Sequence, residues 1–119
     1  MATHNELGKL GEKLATEHLV AKGYRILANN YIFQKAEVDI IAQKDDLIIC
    51  VEVKTRNSDF FGDPQSFVTP AKIKQLVKAM NNYLEENEIT LETRFDIIAV
   101  LKNNTIEVVN HYEDAFYFF

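Results

Sequence analysis

The stretch AEVDIIAQKDDLIICVEVKTR, residues 36–56, decides the fold that we predict for this chain. It contains two apolar segments, 37–43 and 47–54, separated by the polar residues 44–46. This pattern is typical of two antiparallel strands joined by a short turn. Three ionisable residues nevertheless lie inside these strands or at their ends, namely Asp39, Glu52 and Lys54. Such charges in strand-like sequence indicate either a surface hairpin or a functional site.

The second segment has two unequal faces, because side chains alternate along a strand. One face consists of apolar residues alone, whereas the other begins apolar and ends with Glu52 and Lys54. A strand that is apolar on both faces over most of its length is typical of a central, covered position in a sheet. The charged end is therefore predicted to open into a cleft or onto the surface.

The turn length determines which residues of the two strands oppose each other. If residues 45–46 form a two-residue turn, opposed residues have numbers that sum to 91. Asp39 then faces Glu52, and Glu37 faces Lys54. Facing carboxylates destabilise a sheet and raise the proton affinity of at least one of them, unless a cation lies between them. A hard divalent ion such as Mg²⁺ resolves this conflict, and a surface hairpin with a Glu37–Lys54 ion pair is the alternative.

The remainder of the chain supplies two helices and three further strands. Periodicity predicts a helix over residues 4–22 and another that begins at Pro70, with Thr69 as its N-cap. Three more segments are strand-like: 24–33, 93–102 and 105–112. We predict a single domain over residues 1–119 with an α/β fold, in which helices flank a mixed central sheet of about five strands.

Composition restricts the class of protein. A chain of 119 residues with 47% apolar content is typical of one folded globular domain. No apolar run approaches the length of about 20 residues that a membrane span needs, and the N-terminus lacks a signal-peptide core. We therefore expect a cytoplasmic protein without a membrane partner. The one cysteine, Cys50, is predicted to be a buried, inert thiol.

The charge distribution leaves a nucleic-acid partner open. The net charge of −5 does not favour one, but residues 54–78 contain five basic and two acidic residues, a local charge of +3. A basic patch on an acidic body can bind phosphates, although a solvated helix face explains the same pattern. The aromatic end, residues 115–119, is predicted to pack on the core, with a homodimer contact as the alternative.

Two further features favour chemistry at the charged strand ends. Lys54 shares a strand face with Glu52, where an ammonium beside metal-bound carboxylates can orient water or stabilise developing charge. Glu12 lies at the edge of the apolar stripe of the first helix, a position from which a carboxylate can lean across a cleft. Carboxylates, a cation and water are the parts that metal-assisted phosphodiester hydrolysis requires.

A family resemblance agrees with these parts. Asp39, followed after twelve intervening residues by Glu52-Val53-Lys54, resembles the PD-(D/E)XK nuclease signature. From about Leu7 to Phe116 the chain is similar to the YraN family, which is uncharacterised, endonuclease-like and related in fold to archaeal Holliday-junction resolvases. The similar segments, in order, are LGEKLATEHLVAKGYRILANN, AEVDIIA, VEVKTR, FG, the lysine at position 72, and RFDIIAV.

The resemblance implies a restriction-endonuclease-like core and a nuclease site. It implies that Asp39 and Glu52 hold Mg²⁺ or Mn²⁺, that Lys54 is the catalytic lysine, and that Glu12 is the helix-borne acidic residue. The implied substrate is DNA, with branched or repair-intermediate DNA as a candidate, and a homodimer would supply two active sites. The alternative is a non-catalytic nucleic-acid or protein-binding module on the same fold. Candidate substrate contacts from the residues are Thr55, Arg56, Gln65 and Lys72.

Overall fold

The structure, a computed structural model, describes residues 4–58 and 67–116 of the chain. The described elements in chain order are α1 (His4–Ala21), β1 (Arg25–Phe33), β2 (Ala36–Lys44), β3 (Leu47–Arg56), α2 (Pro70–Glu86), β4 (Glu92–Lys102) and β5 (Glu107–Tyr112). Each predicted element is present, and the predicted bounds differ from these by at most two residues. The predicted cap of α2 is confirmed, since Thr69 Oγ1 accepts the amide of Lys72 at 3.2 Å.

The five strands form one mixed sheet in the order β1-β2-β3-β4-β5. All neighbouring pairs are antiparallel except β3 and β4, which are parallel because α2 crosses over between them. The predicted α/β fold with a five-stranded mixed sheet flanked by helices is confirmed, and it is compatible with a restriction-endonuclease-like fold. Neither described helix combines the length and apolar character needed to cross a membrane.

Two hydrophobic clusters cover the two faces of the sheet. Along β3, consecutive residues go to opposite clusters, which confirms that this strand is central and covered. On the α2 face, β3 contributes Ile48 and Cys50, and burial raises the pKa of the Cys50 thiol well above its ordinary value. The α1 face includes Ile49, Val51, Ile98, Ala15 and Leu19. The three residues at the packed centre of α1 are Gly11, Ala15 and Leu19, so Glu12 lies at the margin, as predicted.

The register of the central hairpin is the predicted one. Lys44 opposes Leu47 and Ile40 opposes Val51, so opposed residues sum to 91. The predicted strands 93–102 and 105–112 leave a two-residue turn, but the loop between β4 and β5 spans residues 103–106. It is longer because Asn103 Oδ1 accepts the amides of both Thr105 and Ile106. This side-chain turn delays the start of β5 to residue 107.

Candidate active site

The candidate site lies where β2 and β3 separate. Their backbone pairing ends at Ile40–Val51, and beyond it Asp39 Oδ2 accepts the amide of Val53 at 2.8 Å. Side-chain alternation is interrupted here, because Val38 packs in the α2-side cluster whereas Ile40 packs in the α1-side cluster. The Asp39 carboxylate therefore replaces a rung of the ladder, and it is fixed to the backbone of the neighbouring strand.

The predicted alternative, an ion pair between Glu37 and Lys54, is not present among the described residues. Glu37 Oε1 instead accepts the side-chain amide of Asn30 at 3.0 Å. The strands have already separated at this depth, so the two side chains do not meet across the ladder. The surface-hairpin explanation for these charges is thereby wrong in this detail.

Glu52 is the most buried charge of the site. Its residue is 6% exposed, and Oε1 accepts a hydrogen bond from Lys72 Nζ at 2.8 Å. Its other oxygen, Oε2, is buried and has no hydrogen-bond partner among the described residues. An unpaired oxygen on a buried carboxylate costs free energy, because it has lost its water without replacement. A cation or a hydrogen-bond donor that binds Oε2 would remove this cost.

The pKa of Asp39 reflects both its burial and its proximity to Glu52. Burial raises the pKa of Asp39 to about 7, with a further contribution from the negative charge of Glu52, while the Val53 amide acts in the opposite direction. This agrees with the expectation that paired carboxylates increase the proton affinity of at least one member. We call Asp39 and Glu52 the acidic pair.

Lys72 is the counterion of the acidic pair. Burial acts to lower the pKa of Lys72, but the hydrogen bond to Glu52 and the charges of Glu52 and Asp39 outweigh burial and raise the pKa. One ammonium thus faces two carboxylates. Near neutral pH this leaves an excess of negative charge that a proton or a second cation can neutralise.

Glu12 approaches the acidic pair from α1. A Cβ atom added to Gly11 would lie 1.8 Å from Thr55 Oγ1, so the helix packs on β3 at a distance that only glycine permits. Burial raises the pKa of the neighbouring Glu12, and the charges of Asp39 and Glu37 contribute to the increase, while a hydrogen bond from Asn30 opposes it. The helix-borne carboxylate is therefore within electrostatic reach of the acidic pair.

Asn30 orients this part of the site, and the sequence analysis did not assign it a role. Its Nδ2 donates to Glu12 Oε1 at 2.8 Å and to Glu37 Oε1 at 3.0 Å. Its backbone has a φ of 53°, in the left-handed region that asparagine tolerates better than most residues. An Asn-Asn pair inside a strand is unfavourable for strand propensity, and that was the available signal.

An open cavity of about 380 Å³ joins these groups. Lys54 lines it, and this side chain forms no hydrogen bond or ion pair with any described residue. Arg56 Nη1 donates to the carbonyl of Thr55, at 2.9 Å, rather than to a carboxylate. The predicted residues that line this cavity are Glu12, Asp39, Glu52, Lys54, Thr55 and Arg56. Lys9 and Asn5, which we did not predict, line it as well.

Two predicted contacts lie elsewhere. Lys72 lines a separate cavity that borders Asp39 from the side of α2, and its ammonium is bound to Glu52. Gln65 lies outside the described residues. The Lys72–Glu52 contact joins residues 20 positions apart in sequence, which local periodicity cannot reveal.

The donor set fits a hard divalent cation that also uses water or substrate oxygens. Among the described residues, no three side chains of His, Cys, Asp or Glu are grouped closely enough to hold a metal ion. Mg²⁺ commonly binds through one or two carboxylates and keeps several waters. Asp39 and Glu52 supply such a pair, and Glu52 Oε2 is the oxygen without a partner.

A second group of buried charges lies on β4. Asp96 is fully buried, and Arg94 Nη2 contacts its Oδ2 at 2.8 Å. His111 Nε2 is 2.7 Å from the same oxygen. Arg94 and Asp96 thus form an internal ion pair, and we call these three residues the Asp96 cluster. None of the three residues lines the cavity of the candidate site, and the ring contact between His111 and His18 places the cluster beside α1.

Comparison with known proteins places the chain in a family. The model of the Uncharacterised protein family UPF0102 matches residues 11–100. A UPF0102 protein of Flavobacterium psychrophilum is 59% identical over 119 residues, which is 100% of both chains. A UPF0102 protein of Parabacteroides distasonis is 43% identical over 117 residues, 98% of this chain and 97% of the relative.

A third relative matches the chain to a similar extent. A UPF0102 protein of Syntrophomonas wolfei subsp. wolfei is 42% identical over 114 residues, which is 95% of this chain and 99% of the relative. The resemblance to the YraN family is thereby confirmed over nearly the whole chain. The chain belongs to the uncharacterised protein family UPF0102.

Proposed function

We propose that this protein is a metal-dependent endonuclease that hydrolyses phosphodiester bonds in DNA. The observation that carries the proposal is the buried, unpartnered Oε2 of Glu52 beside Asp39, in a cavity that Lys54 and Glu12 also line. A carboxylate pair with an open coordination position and a nearby free ammonium is suited to bind a cation and a phosphate together.

Each residue of the site has a proposed role that follows from its charge and position. Asp39 and Glu52 would hold Mg²⁺ or Mn²⁺, which when bound would polarise the scissile phosphate and lower the pKa of a bound water. The Lys54 ammonium is free to contact a non-bridging phosphate oxygen or to orient the attacking water. Glu12 faces the same cavity and can accept a hydrogen bond from that water.

The flanking residues are suited to bind the strand on either side of the scissile phosphate. Thr55 and Arg56 follow Lys54 along β3 and line the same cavity, where they can contact backbone phosphates. Arg56 requires only a change of rotamer, because its guanidinium donates to a carbonyl and not to an acid. Branched or repair-intermediate DNA is the substrate form that the family resemblance suggests.

A binding module without catalysis is the second candidate, and two observations favour it. Lys72 already supplies a cation to Glu52, and three metal-ligating side chains are not grouped together among the described residues. The two candidates differ in one respect, namely whether DNA is cleaved when a divalent ion is present.

The test is a cleavage assay on plasmid, single-stranded, flap and four-way-junction DNA with Mg²⁺ or Mn²⁺. We expect the wild type to cleave at least one of these forms, and Asp39→Ala and Lys54→Ala to reduce cleavage at least a hundredfold. Lys13→Ala is the matched control, because Lys13 is 72% exposed and pairs only with Glu17 on the surface of α1. Wild-type DNA binding without cleavage of any form would favour the binding module.

A further inference from the structure

A second cavity continues from the acidic pair on its other side. Asp39 and Lys72 line a cavity of about 230 Å³ between β2 and α2. That cavity shares Lys35, Ala36 and Gln75 with a third one of about 270 Å³. We call the third cavity the Lys35 cleft, and it is lined by Phe33, Gln34, Lys35, Ala36, Gln75 and Lys78. Since the linings overlap, the two cavities are neighbours, and together they extend from Asp39 to the Lys35 cleft.

The charge of the Lys35 cleft is opposite to that of the protein. Its charged lining residues are Lys35 and Lys78, and no acidic residue lines it, whereas the chain has a net charge of −5. Neither lysine forms a hydrogen bond or ion pair with a described residue, and both are exposed. Two cations without counterions on an acidic protein are complementary to a phosphodiester backbone.

The remaining lining suits a nucleobase. The half-buried ring of Phe33 packs on the α2-side core and also borders the cleft, so it is held in place for stacking. Gln34 and Gln75 each offer an amide donor and acceptor for the edge of a base. An aromatic ring, two amides and two lysines together form a surface typical of single-strand recognition.

We propose that the Lys35 cleft binds an unpaired nucleotide of the strand whose scissile phosphate lies at the acidic pair. Lys35 and Lys78 contact the backbone phosphates, and Phe33 stacks on the base. This inference rests on the proposed nuclease function and specifies its substrate class, which is DNA with a single-stranded segment next to the cleaved bond. A fully paired base cannot enter the cleft unless it leaves its helical stack, which costs free energy.

The test measures binding without cleavage. Fluorescence anisotropy with EDTA present compares a single-stranded oligonucleotide and the matching duplex over a range of salt concentrations. We expect the Lys35→Ala/Lys78→Ala double variant to bind the single strand at least tenfold more weakly. The slope of log K against log salt should fall by about 1.4, the value for two lost contacts to single-strand phosphates.

Two further variants separate charge from stacking. Phe33→Leu keeps an apolar core contact but removes the ring, so it should weaken single-strand binding roughly tenfold without a change of the salt slope. A Lys13→Ala/Lys102→Ala double variant removes the same charge from surface positions that pair with Glu17 and Glu107, and it should bind like the wild type. Melting temperatures confirm that each variant is folded.

The outcomes distinguish the cleft from the nuclease. Unchanged single-strand binding by the Lys35/Lys78 double variant, or an equal loss on duplex and single strand, overturns the cleft assignment and leaves the nuclease proposal in place. If that variant loses single-strand binding and the wild type cleaves no form of DNA, the cleft is supported and the nuclease is contradicted. A wild type that binds neither form overturns the cleft, and the cleavage assay with Mg²⁺ or Mn²⁺ then decides the nuclease proposal separately.

Discussion

The acidic pair and the Asp96 cluster both bury negative charge in the same sheet, but they differ in how completely the carboxylate oxygens are hydrogen-bonded. Asp96 accepts hydrogen bonds on both oxygens, from Arg94 Nε at 2.9 Å, from Arg94 Nη2 at 2.8 Å and from the amide of Asp114 at 3.0 Å, and it contacts His111 as well. Glu52 has one ammonium, and its second oxygen has no described partner. The first carboxylate is fully satisfied and the second is not.

The proton affinities follow from this difference. At Asp96, burial acts to raise the pKa, but hydrogen bonds from His111, Arg94 and the Asp114 amide outweigh it and lower the pKa. At Asp39, burial and the charge of Glu52 raise the pKa to about 7. Removal of a satisfied buried carboxylate is costly because its partners are left unpaired, whereas an unsatisfied carboxylate carries a free-energy cost that a bound ligand can relieve. The four predictions below test this contrast, beginning with the largest expected effect.

Asp96→Asn should destabilise the protein by about 3–5 kcal/mol, the usual cost of removing one partner from a buried ion pair. The asparagine side chain cannot neutralise the charge of Arg94. Its NH₂ group would also face an N–H donor, either of the Arg94 guanidinium or of the Asp114 backbone. Urea denaturation at pH 7 measures the change. A loss below about 1 kcal/mol would mean that the Asp96 cluster is no more than a surface-type pair.

Asp39→Asn should have the opposite sign and stabilise the protein by about 2 kcal/mol at pH 8. The asparagine can still accept the Val53 amide, and its NH₂ can donate to the unpartnered oxygen of Glu52. The folded wild type keeps a proton on Asp39 that the unfolded chain releases near its ordinary value of 3.8. Wild-type stability from this group therefore falls as pH rises from about 4 to about 7.

The gain from Asp39→Asn should consequently shrink as pH falls towards 4, and it should vanish well below the ordinary pKa of 3.8, where the wild-type carboxyl is protonated in both states. Urea denaturation of both proteins at several pH values measures it. A gain that is independent of pH would show that the substitution acts through packing and not through the charge of Asp39. A destabilised variant at pH 8 would contradict the unsatisfied character of the acidic pair.

Lys72→Met should cost about 1–2 kcal/mol without metal, a discounted value because the Lys72 side chain is 42% exposed. The loss leaves the acidic pair without its counterion, so saturating Mn²⁺ should stabilise the variant more than the wild type. Thermal denaturation with and without Mn²⁺ measures both effects. Lys74→Met, two residues away on an exposed position of α2, is the control and should show neither.

His18→Leu should have the smallest effect. Burial lowers the pKa of His18, with further contributions from His111 and Lys22, so the unfolded chain takes up a proton first as pH falls below about 6.5. Wild-type stability from this group is therefore lost with acidification. The variant should match the wild type at pH 8 and exceed it by less than about 1 kcal/mol at pH 5. The His18 Nε2 atom has no described partner to lose.

Asp96 remains in contact with His111 in that experiment, and the charges of Asp96 and Arg94 persist between pH 5 and pH 8. The ring of His18 lies edge-on to that of His111, with centroids 5.5 Å apart. Equal pH dependence in the variant and the wild type would remove His18 as the source of the acid sensitivity.

Local sequence predicted much of this arrangement because the information was local. The register of the central hairpin follows from a two-residue turn, and the apolar character of β3 on both faces follows from residues 47–53. Glu12 was placed at the edge of α1 by helical periodicity alone. The proximity of Asp39 to Glu52 needed no information from outside 36–56.

The remainder depended on distant contacts. The interruption at Asp39 comes from a side chain that takes a backbone amide, which strict alternation does not anticipate. The pairing of Lys72 with Glu52 depends on how α2 crosses the sheet, and the left-handed Asn30 joins α1 to β2. The predicted start of β5 was two residues too early, because the Asn103 side chain closes a longer loop than a two-residue hairpin turn.

Gly11 has a consequence for inheritance as well as for packing. Because a Cβ atom there would lie 1.8 Å from Thr55 Oγ1 and 2.8 Å from Thr55 Cβ, any other residue must displace either the Thr55 side chain, which lines the cavity, or α1, which carries Glu12. A random mutagenesis screen should therefore recover position 11 as a loss-of-function site, although glycine has no side chain to donate to any reaction. An allele of this kind would keep every charged residue of the cavity and still lose function. Inspection of the charged residues alone would not distinguish it from the wild type.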